Sequence, residues 1–516
     1  MLRAGGNAVD AACATALALG VVDPFASGLG GGGFALLYLA KSGKSLALDF
    51  RETAPAALPV PPTGSIPPQS GLSIGVPGEA RGLHELVRRF GALPFSRCVR
   101  PALRLARGFL LSPRQAQKID EEIKRNPTTG PALIAKVFST SQKGAAAMRA
   151  GDRVRRPQLL ETLKRLHREG ADALYRGDLA VELVEAAGKA GSKLSLDDLA
   201  GYAPVEREPL QVAFLGRRVL LMPPPSAGGV ILAEGLGMLS HRLADLDRGR
   251  GALAPDYLHL LAEALKHGFA DRARFLGDPA FARVPLEHLL APAFHRDLAL
   301  RTQLDRVLPH DRYGTSSTLP APLSRDAGTA HVSVVDKHGN AVALTTTVNL
   351  DFGARIVAGN TGIVLNDELD DFTPAAGHAD VFALAGSAAN QPAPGKRPIS
   401  SMSPTIVVGE RGVELVTGAA GGPRIISATL QVLLDVMLFG SAPAEAVSRP
   451  RIHHQWEPDL LFYEPGLPEE SLRALAAKGQ RLEMRPDLGK ANLIVRTTSR
   501  WEAAADPRAG GRPAGY

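Results

Sequence analysis

Two β-branched runs around one short turn, between Thr329 and Asn349, constrain this chain more than any other stretch. Val332, Val334 and Val335 precede Asp336-Lys-His-Gly-Asn340, and Val342 and Leu344 follow it, which is the pattern of a hairpin. Thr329 is then expected at the lip of a sheet. A threonine inside a chain is a poor nucleophile, but one at a newly cut N-terminus carries its own general base, the α-amine. Residues 309–328 are rich in Pro, Ser and Gly with little apolar periodicity, so they read as an exposed loop that tolerates a cut. Gly328 has no side chain to obstruct attack of a neighbouring hydroxyl on its carbonyl. Self-cleavage at Gly328-Thr329 is sterically feasible on these grounds, although a Gly-Thr pair ahead of a strand is by itself an ordinary turn.

Around the hairpin, helical and sheet-like patterns alternate. An Ala-rich helix is predicted over about Asn7–Val21, then a glycine-rich loop, then buried strands at Phe34–Leu39 and Ser45–Phe50. After a Pro-rich connector at 55–68 come amphipathic helices at Glu79–Phe90, stopped by Gly91, at Pro157–Glu169, and at Asp256–Phe269. The second half is richer in β-branched residues, with one strong helical run at Ile425–Phe439. This alternation predicts a mixed protein in which helices flank stacked sheets.

With 45% hydrophobic and 22% charged residues, the chain can build a large core. The formal net charge of +7 is not gathered into a basic run interleaved with aromatics, and aromatics are only 5%, so a nucleic-acid surface is not expected. Cys13 and Cys98 are too few for a disulfide scaffold or zinc cluster and read as core residues. No apolar stretch is long enough to predict a transmembrane helix.

Several short patterns are weak. Gly28-x-Gly30-x-x-Gly33 matches a dinucleotide fingerprint literally, but here the order is helix, glycines, strand, the reverse of what places a helix N-terminus on a pyrophosphate. Gly43-Lys-Ser45 ends like a phosphate loop but has Tyr38 where a glycine belongs. His453-His454 do not share a helix face and imply no metal. Neither a cofactor nor a metal is expected.

The whole chain nevertheless resembles one family. Gly5–Ala12, Gly28–Phe34, Asp49–Pro55, Val76–Gly78, Pro223–Gly229, Thr329–Asn349, Gly359–Phe372, Gly395–Pro404, Gly418–Arg424 and Ala505–Gly511 resemble, in order, the motifs of the γ-glutamyltransferases. The resemblance implies an α+β fold, the four-layer αββα sandwich of N-terminal nucleophile hydrolases, in a single domain over 1–516. It implies self-cleavage into a large fragment, 1–328, and a small one, 329–516, that stay together as a heterodimer. The substrates implied are glutathione or a related γ-glutamyl donor and, beside water, an amino acid or peptide acceptor. Related acylases that take glutaryl or cephalosporin-type amides, and unprocessed members without activity, remain alternatives.

A γ-glutamyl donor presents a free α-carboxylate and a free α-ammonium, which call for cationic or hydroxyl donors and for carboxylates or amide oxygens. By resemblance, Arg51, Ser400 and Ser401 bind the first, and Asn349, Glu368 and Asp371 the second. Thr329 matches the nucleophile, Thr347 the threonine that orients it, and Gly421 and Gly422 the oxyanion hole. Ala330 stands where many relatives have a second threonine, and Phe382, in a lid-like segment at 373–391, where many have tyrosine. Met1 runs directly into the first motif without a charged and apolar leader. The resemblance implies a leader and a first strand upstream, hence a periplasmic or secreted protein with such a leader and a cytoplasmic one as written.

Overall fold

The computed structural model describes residues 1–59, 66–139, 148–314, 327–373, 382–498 and 500–515. Most of the expected cleavage loop and parts of the Pro-rich connector and of the lid-like segment lie outside these residues. In chain order the strands of the two main sheets are β1 (Gly32–Leu39), β2 (Lys44–Phe50), β3 (Val205–Arg207), β4 (Leu210–Phe214), β5 (Arg217–Leu221), β6 (Ala327–Val335), β7 (Ala341–Leu350), β8 (Thr405–Gly409), β9 (Gly412–Ala420), β10 (Lys490–Arg496) and β11 (Trp501–Ala505). They form a five-stranded sheet ordered β3-β2-β1-β7-β6 and a six-stranded sheet ordered β11-β10-β9-β8-β5-β4.

Side-chain alternation decides what each sheet face covers. Ala35, Leu37, Val342 and Leu344 point to one side of the first sheet and join a core with α1 (Ala8–Val22), α2 (Glu79–Phe90), α3 (Phe95–Ala106) and α4 (Pro157–Glu169). Phe34, Leu36 and Ala343 point to the other side, into a core shared with Ile406 and Val416 of the second sheet. That core continues into α5 (Gly228–Arg242), α6 (Pro255–Phe275) and α7 (Arg424–Met437). The layers therefore run helix, sheet, sheet, helix, as the resemblance implies. The unbroken apolar run of β1 follows, because both of its faces are covered.

The expected helices are present, with instructive differences at their ends. Asn7 lies just outside α1 and caps it, its side chain accepting from the Val9 and Asp10 amides. α2 and α4 have the expected bounds. α6 runs six residues past Phe269, because Asp271 and Arg272, which look like a solvated end, are buried. Two shorter helices, Pro443–Ser448 and Glu469–Ala477, follow α7, so the second half is not limited to one helix.

Cys13 and Cys98 are buried in α1 and α3. His453 meets Ser427 and Gln455, and burial keeps both it and His454 neutral, at about 3 and about 4. The glycine-rich loop lies between α1 and β1 and packs backbone to backbone: a Cβ on Gly31 would lie 2.0 Å from the Thr347 carbonyl oxygen, and one on Gly30 2.0 Å from that of Val364. Among the described residues, no helix is long and apolar enough to cross a membrane.

Leu36 lies fully buried between the two sheets on β1. Its replacement in Leu36→Ala is expected to destabilise the fold by about 2–5 kcal/mol, read as a lower urea midpoint for unfolding.

Candidate active site

Thr329 is the third residue of β6, facing Thr347 of β7. The pairing steps from Gly328 with Asn349 to Thr329 with Thr347, so Val348 is bulged out of register. Thr347 Oγ1 donates to the Gly328 carbonyl at 2.8 Å, accepts from the Asn349 amide at 2.9 Å, and lies 3.1 Å from Thr329 Oγ1. Its one proton is committed to Gly328, so in the remaining contact the Thr329 hydroxyl is the donor. The nucleophile candidate and the bond ahead of it thus converge on one hydroxyl.

All the residues expected at the site except Gly421 line one cavity: Arg51, Thr329, Thr347, Asn349, Glu368, Asp371, Ser400, Ser401 and Gly422. Its open space is about 30 Å³. Gly421 is the next residue back, between β9 and α7, at φ 134°, and Gly422 follows at φ 60°. Both are backbone conformations that a side chain would strain.

Arg51 follows β2 and is 1% exposed. Its guanidinium donates to the Pro398 and Ile399 carbonyls at 3.1 and 2.9 Å, to Asp371 at 2.5 Å, and to Glu368. The arginine expected at the substrate carboxylate and the acids expected at the ammonium are therefore paired with one another. Burial pushes the Asp371 carboxyl up, opposed by Arg51. Asn349 sits at φ 74°, unusual for a residue with a side chain, and its Nδ2 donates to Asp370 and, at 3.2 Å, to the Asp367 carbonyl. Burial also raises Asp367, to about 7.

Two loops hold this set in place. Asn366 donates to the Gly30 and Gly75 carbonyls at 2.7 and 2.9 Å and accepts from the Glu368 amide at 3.1 Å, tying the acidic turn to the glycine-rich loop. Ser400 is seated by the Pro223–Gly229 segment: its amide donates to the Pro225 carbonyl at 2.8 Å and its carbonyl accepts from Ala227 at 2.7 Å. A Cβ on Gly228 would lie 1.9 Å from Ser403 Oγ, so glycine lets α5 start against this segment.

The cavity also contains residues that the sequence did not single out. Arg272 of α6 lines it at 5% exposure, donates to the Ala385 carbonyl at 3.2 Å, and lowers the pKa of Asp371 through its charge. Its only sequence signal was two charged residues where the helix was expected to have ended. Phe382 lines the cavity, together with Leu384, Met402 and Ile425, so the aromatic ring in the lid-like segment does reach the site.

Beside Arg51 stands Glu52, fully buried, with neither carboxyl oxygen hydrogen-bonded to another described residue. Burial raises its pKa from 4.5 to about 8, against the pull of Arg51. A carboxyl raised in this way stabilises the fold fully below its unfolded pKa and loses that contribution as pH rises through the folded value. Glu52→Gln cannot ionise, so its melting temperature is expected to gain on the wild type between about pH 5 and about pH 9, measured by calorimetry across that range.

The four-layer fold, with a threonine hydroxyl at the end of a central hairpin, defines an N-terminal nucleophile hydrolase architecture. Residues 1–516 match the family profile described as Gamma-glutamyltranspeptidase, and the chain belongs to that family. It is 37% identical over 521 residues to the glutathione hydrolase proenzyme of Escherichia coli (strain K12), covering 98% of this chain and 87% of that one. The corresponding proenzyme of Pseudomonas aeruginosa PAO1 is 38% identical, over 99% and 91% of the two chains. Among solved structures, cephalosporin acylase from Bacillus halodurans superposes with a TM-score of 0.83 at 26% identity, over 98% of this chain and 91% of that one. Gamma-glutamyltranspeptidase from Pseudomonas nitroreducens complexed with L-DON is 33% identical over 61% of this chain and 92% of that one, with a TM-score of 0.54.

Proposed function

We propose that the chain cuts itself between Gly328 and Thr329, and that the resulting heterodimer of 1–328 and 329–516 transfers a γ-glutamyl group from glutathione or a related donor. The observation that carries this reading is the Thr347 hydroxyl, which touches both Thr329 Oγ1 and the Gly328 carbonyl oxygen.

In the self-cleavage, Thr329 Oγ1 attacks the Gly328 carbonyl carbon while Thr347 donates to the oxygen on which negative charge develops. The peptide nitrogen leaves as the Thr329 amine, and the acyl group of Gly328 passes to the hydroxyl as an ester. Water hydrolyses that ester, releasing the Gly328 carboxylate and a threonine with a free α-amine. That amine has an unperturbed pKa of about 7.7–8, suited to a base near neutral pH.

In the transfer reaction, the Thr329 hydroxyl attacks the γ-carbonyl and its amine takes the proton, then passes it to the departing amine. A γ-glutamyl ester remains until water takes it as glutamate or an acceptor amine takes it as a new γ-glutamyl amide. The amides of Gly421 and Gly422 serve the oxyanion, and one such donor contributes about 2.7–4 kcal/mol to transition-state stabilisation. The donor's α-carboxylate goes to Arg51, Ser400 and Ser401, and its α-ammonium to Asn349, Glu368 and Asp371. Substrate ions thereby replace the contacts that Arg51 and the two acids make with each other.

The likeness to a cephalosporin acylase makes glutaryl-type amides the reading to exclude. The expected activity is on a γ-glutamyl anilide and not on the matching glutaryl anilide, which has no ammonium for the acids to hold. Equal rates on both would contradict the proposal. Asp371→Ala is expected to lower kcat/KM on the γ-glutamyl anilide by about 10- to 100-fold, the loss of one charge-assisted hydrogen bond. Thr347→Val, which keeps the shape but removes the donor, is expected to slow appearance of the two fragments by about 100-fold or more, followed by gel electrophoresis of freshly made protein.

A further inference from the structure

On the side of β7 turned away from the cavity, Thr346 Oγ1 lies 2.7 Å from Ser27 Oγ, in a fully buried contact. Ser27 in turn donates to Glu79 Oε2 at 3.4 Å, so Thr346 is the donor to Ser27. The Gly28 amide also donates to Glu79 Oε2, at 3.3 Å. At the other end of the same loop, the Gly31 carbonyl accepts from the amides of Gly78 and Glu79, at 2.8 and 2.9 Å. One residue thus holds both ends of the glycine-rich loop: the side chain of Glu79 holds Gly28 and its backbone holds Gly31.

That loop bears on the nucleophile from behind. Gly31 packs so tightly on Thr347 that an added Cβ would lie 2.0 Å from its carbonyl oxygen. Ser27 holds the neighbouring residue, Thr346, by its hydroxyl. A movement of the loop would therefore carry Thr346 and Thr347 with it, and Thr347 is what meets Thr329.

We infer that Glu79 is a positioning residue for the Thr329–Thr347 pair, acting through the glycine-rich loop and Thr346; this role rests on the proposed function. Glu79 is fully buried at the start of α2, does not line the cavity, and has no hydrogen-bond partner at Oε1 among the described residues. A buried carboxyl with one oxygen unsatisfied is costly compared with an apolar side chain of similar size. What it supplies is a fixed acceptor for Ser27 and Gly28. Burial, with the Glu52 carboxyl adding to it and the Gly28 amide opposing it, raises Glu79 to about 8. Near neutral pH it is mostly uncharged, and glutamine is its close substitute.

The test compares Glu79→Ala, Glu79→Gln, Ser27→Ala and the double variant Glu79→Ala/Ser27→Ala with the wild type on a γ-glutamyl anilide, with melting temperatures alongside. Glu79→Ala and Ser27→Ala are each expected to lower kcat about 10-fold or more, the scale of a small misplacement of reacting groups. The loss should fall on kcat more than on KM, because the acidic turn, tied to Gly30 through Asn366, is also held by Asn366 to Gly75. Glu79→Gln is expected to recover most of kcat. The double variant should be little worse than the worse single one, since both interrupt one chain of contacts. An unchanged kcat in Glu79→Ala, losses that multiply in the double variant, a glutamine no better than alanine, or a rise in KM alone would each overturn the role. If Glu79→Ala does not fold, Ser27→Ala and Thr346→Val decide by the same split between kcat and KM. A wild type without anilide activity overturns the proposed function and this role with it; an active wild type with an unaffected Glu79→Ala overturns this role alone.

Discussion

The step in register between β6 and β7 is the constraint on which the rest of the site depends. With Val348 bulged, Thr329 lies opposite Thr347 while Gly328 lies opposite Asn349. In a ladder unbroken from the hairpin turn Gly328 would face Val348, and shifting a strand by one residue sends its side chains to the opposite face. The pairing set at the turn, Val335 with Ala341, runs in register to Thr329 and puts Thr329, His331 and Ser333 on the side of Thr347 and Thr345, between the two sheets, and the bulge beyond it sets Gly328 opposite Asn349. His331 marks how closely that space is filled. Its two ring nitrogens meet Thr345 and Ser333 at 2.8 and 3.0 Å, burial keeps it neutral, and a Cβ on Gly418 of the facing strand would lie 2.3 Å from the ring. Asn349, at positive φ, stands on the other side of the same bulge.

Charge is the second organising element. Arg51, Glu368 and Asp371 are all buried, and ions taken out of water cost several kcal/mol each unless closely paired. They pair with each other, and Arg51 also donates to two backbone carbonyls. A ligand carrying both an ammonium and a carboxylate can enter such a site by exchanging partners, without changing its net charge. A ligand with the carboxylate alone would leave the acids without a counter-ion. The proposed preference for a zwitterionic γ-glutamyl head rests on this pairing more than on the shape of the cavity.

Local patterns made much of the scaffold legible. α2 begins at Glu79 and stops before Gly91 because its amphipathic period and its terminating glycine are written within twelve residues. The hairpin was equally plain, since alternation on β6 and β7 is a local property. The far end of α6 was not, because Arg272 is buried by contacts more than a hundred residues away, among them the Ala385 carbonyl. Within the site, the chemistry of a threonine behind a cleavable bond could be argued from the residues themselves. The roles of Arg51, Ser400 and Gly422 could be reached only by resemblance, because no local spacing links positions separated by hundreds of residues. Resemblance in turn did not reveal that Arg51 and the two acids pair with one another, nor that the glycine-rich loop braces Thr347 from behind.

The central claim is that Thr329 becomes an N-terminus by its own chemistry. It is tested most directly by intact mass and N-terminal sequencing of the freshly purified protein beside its Thr329→Ala variant. The expected result is two fragments from the first, the smaller beginning at Thr329, and one uncut chain from the second. A wild type that stays whole, or a variant that divides at the same bond, would contradict it.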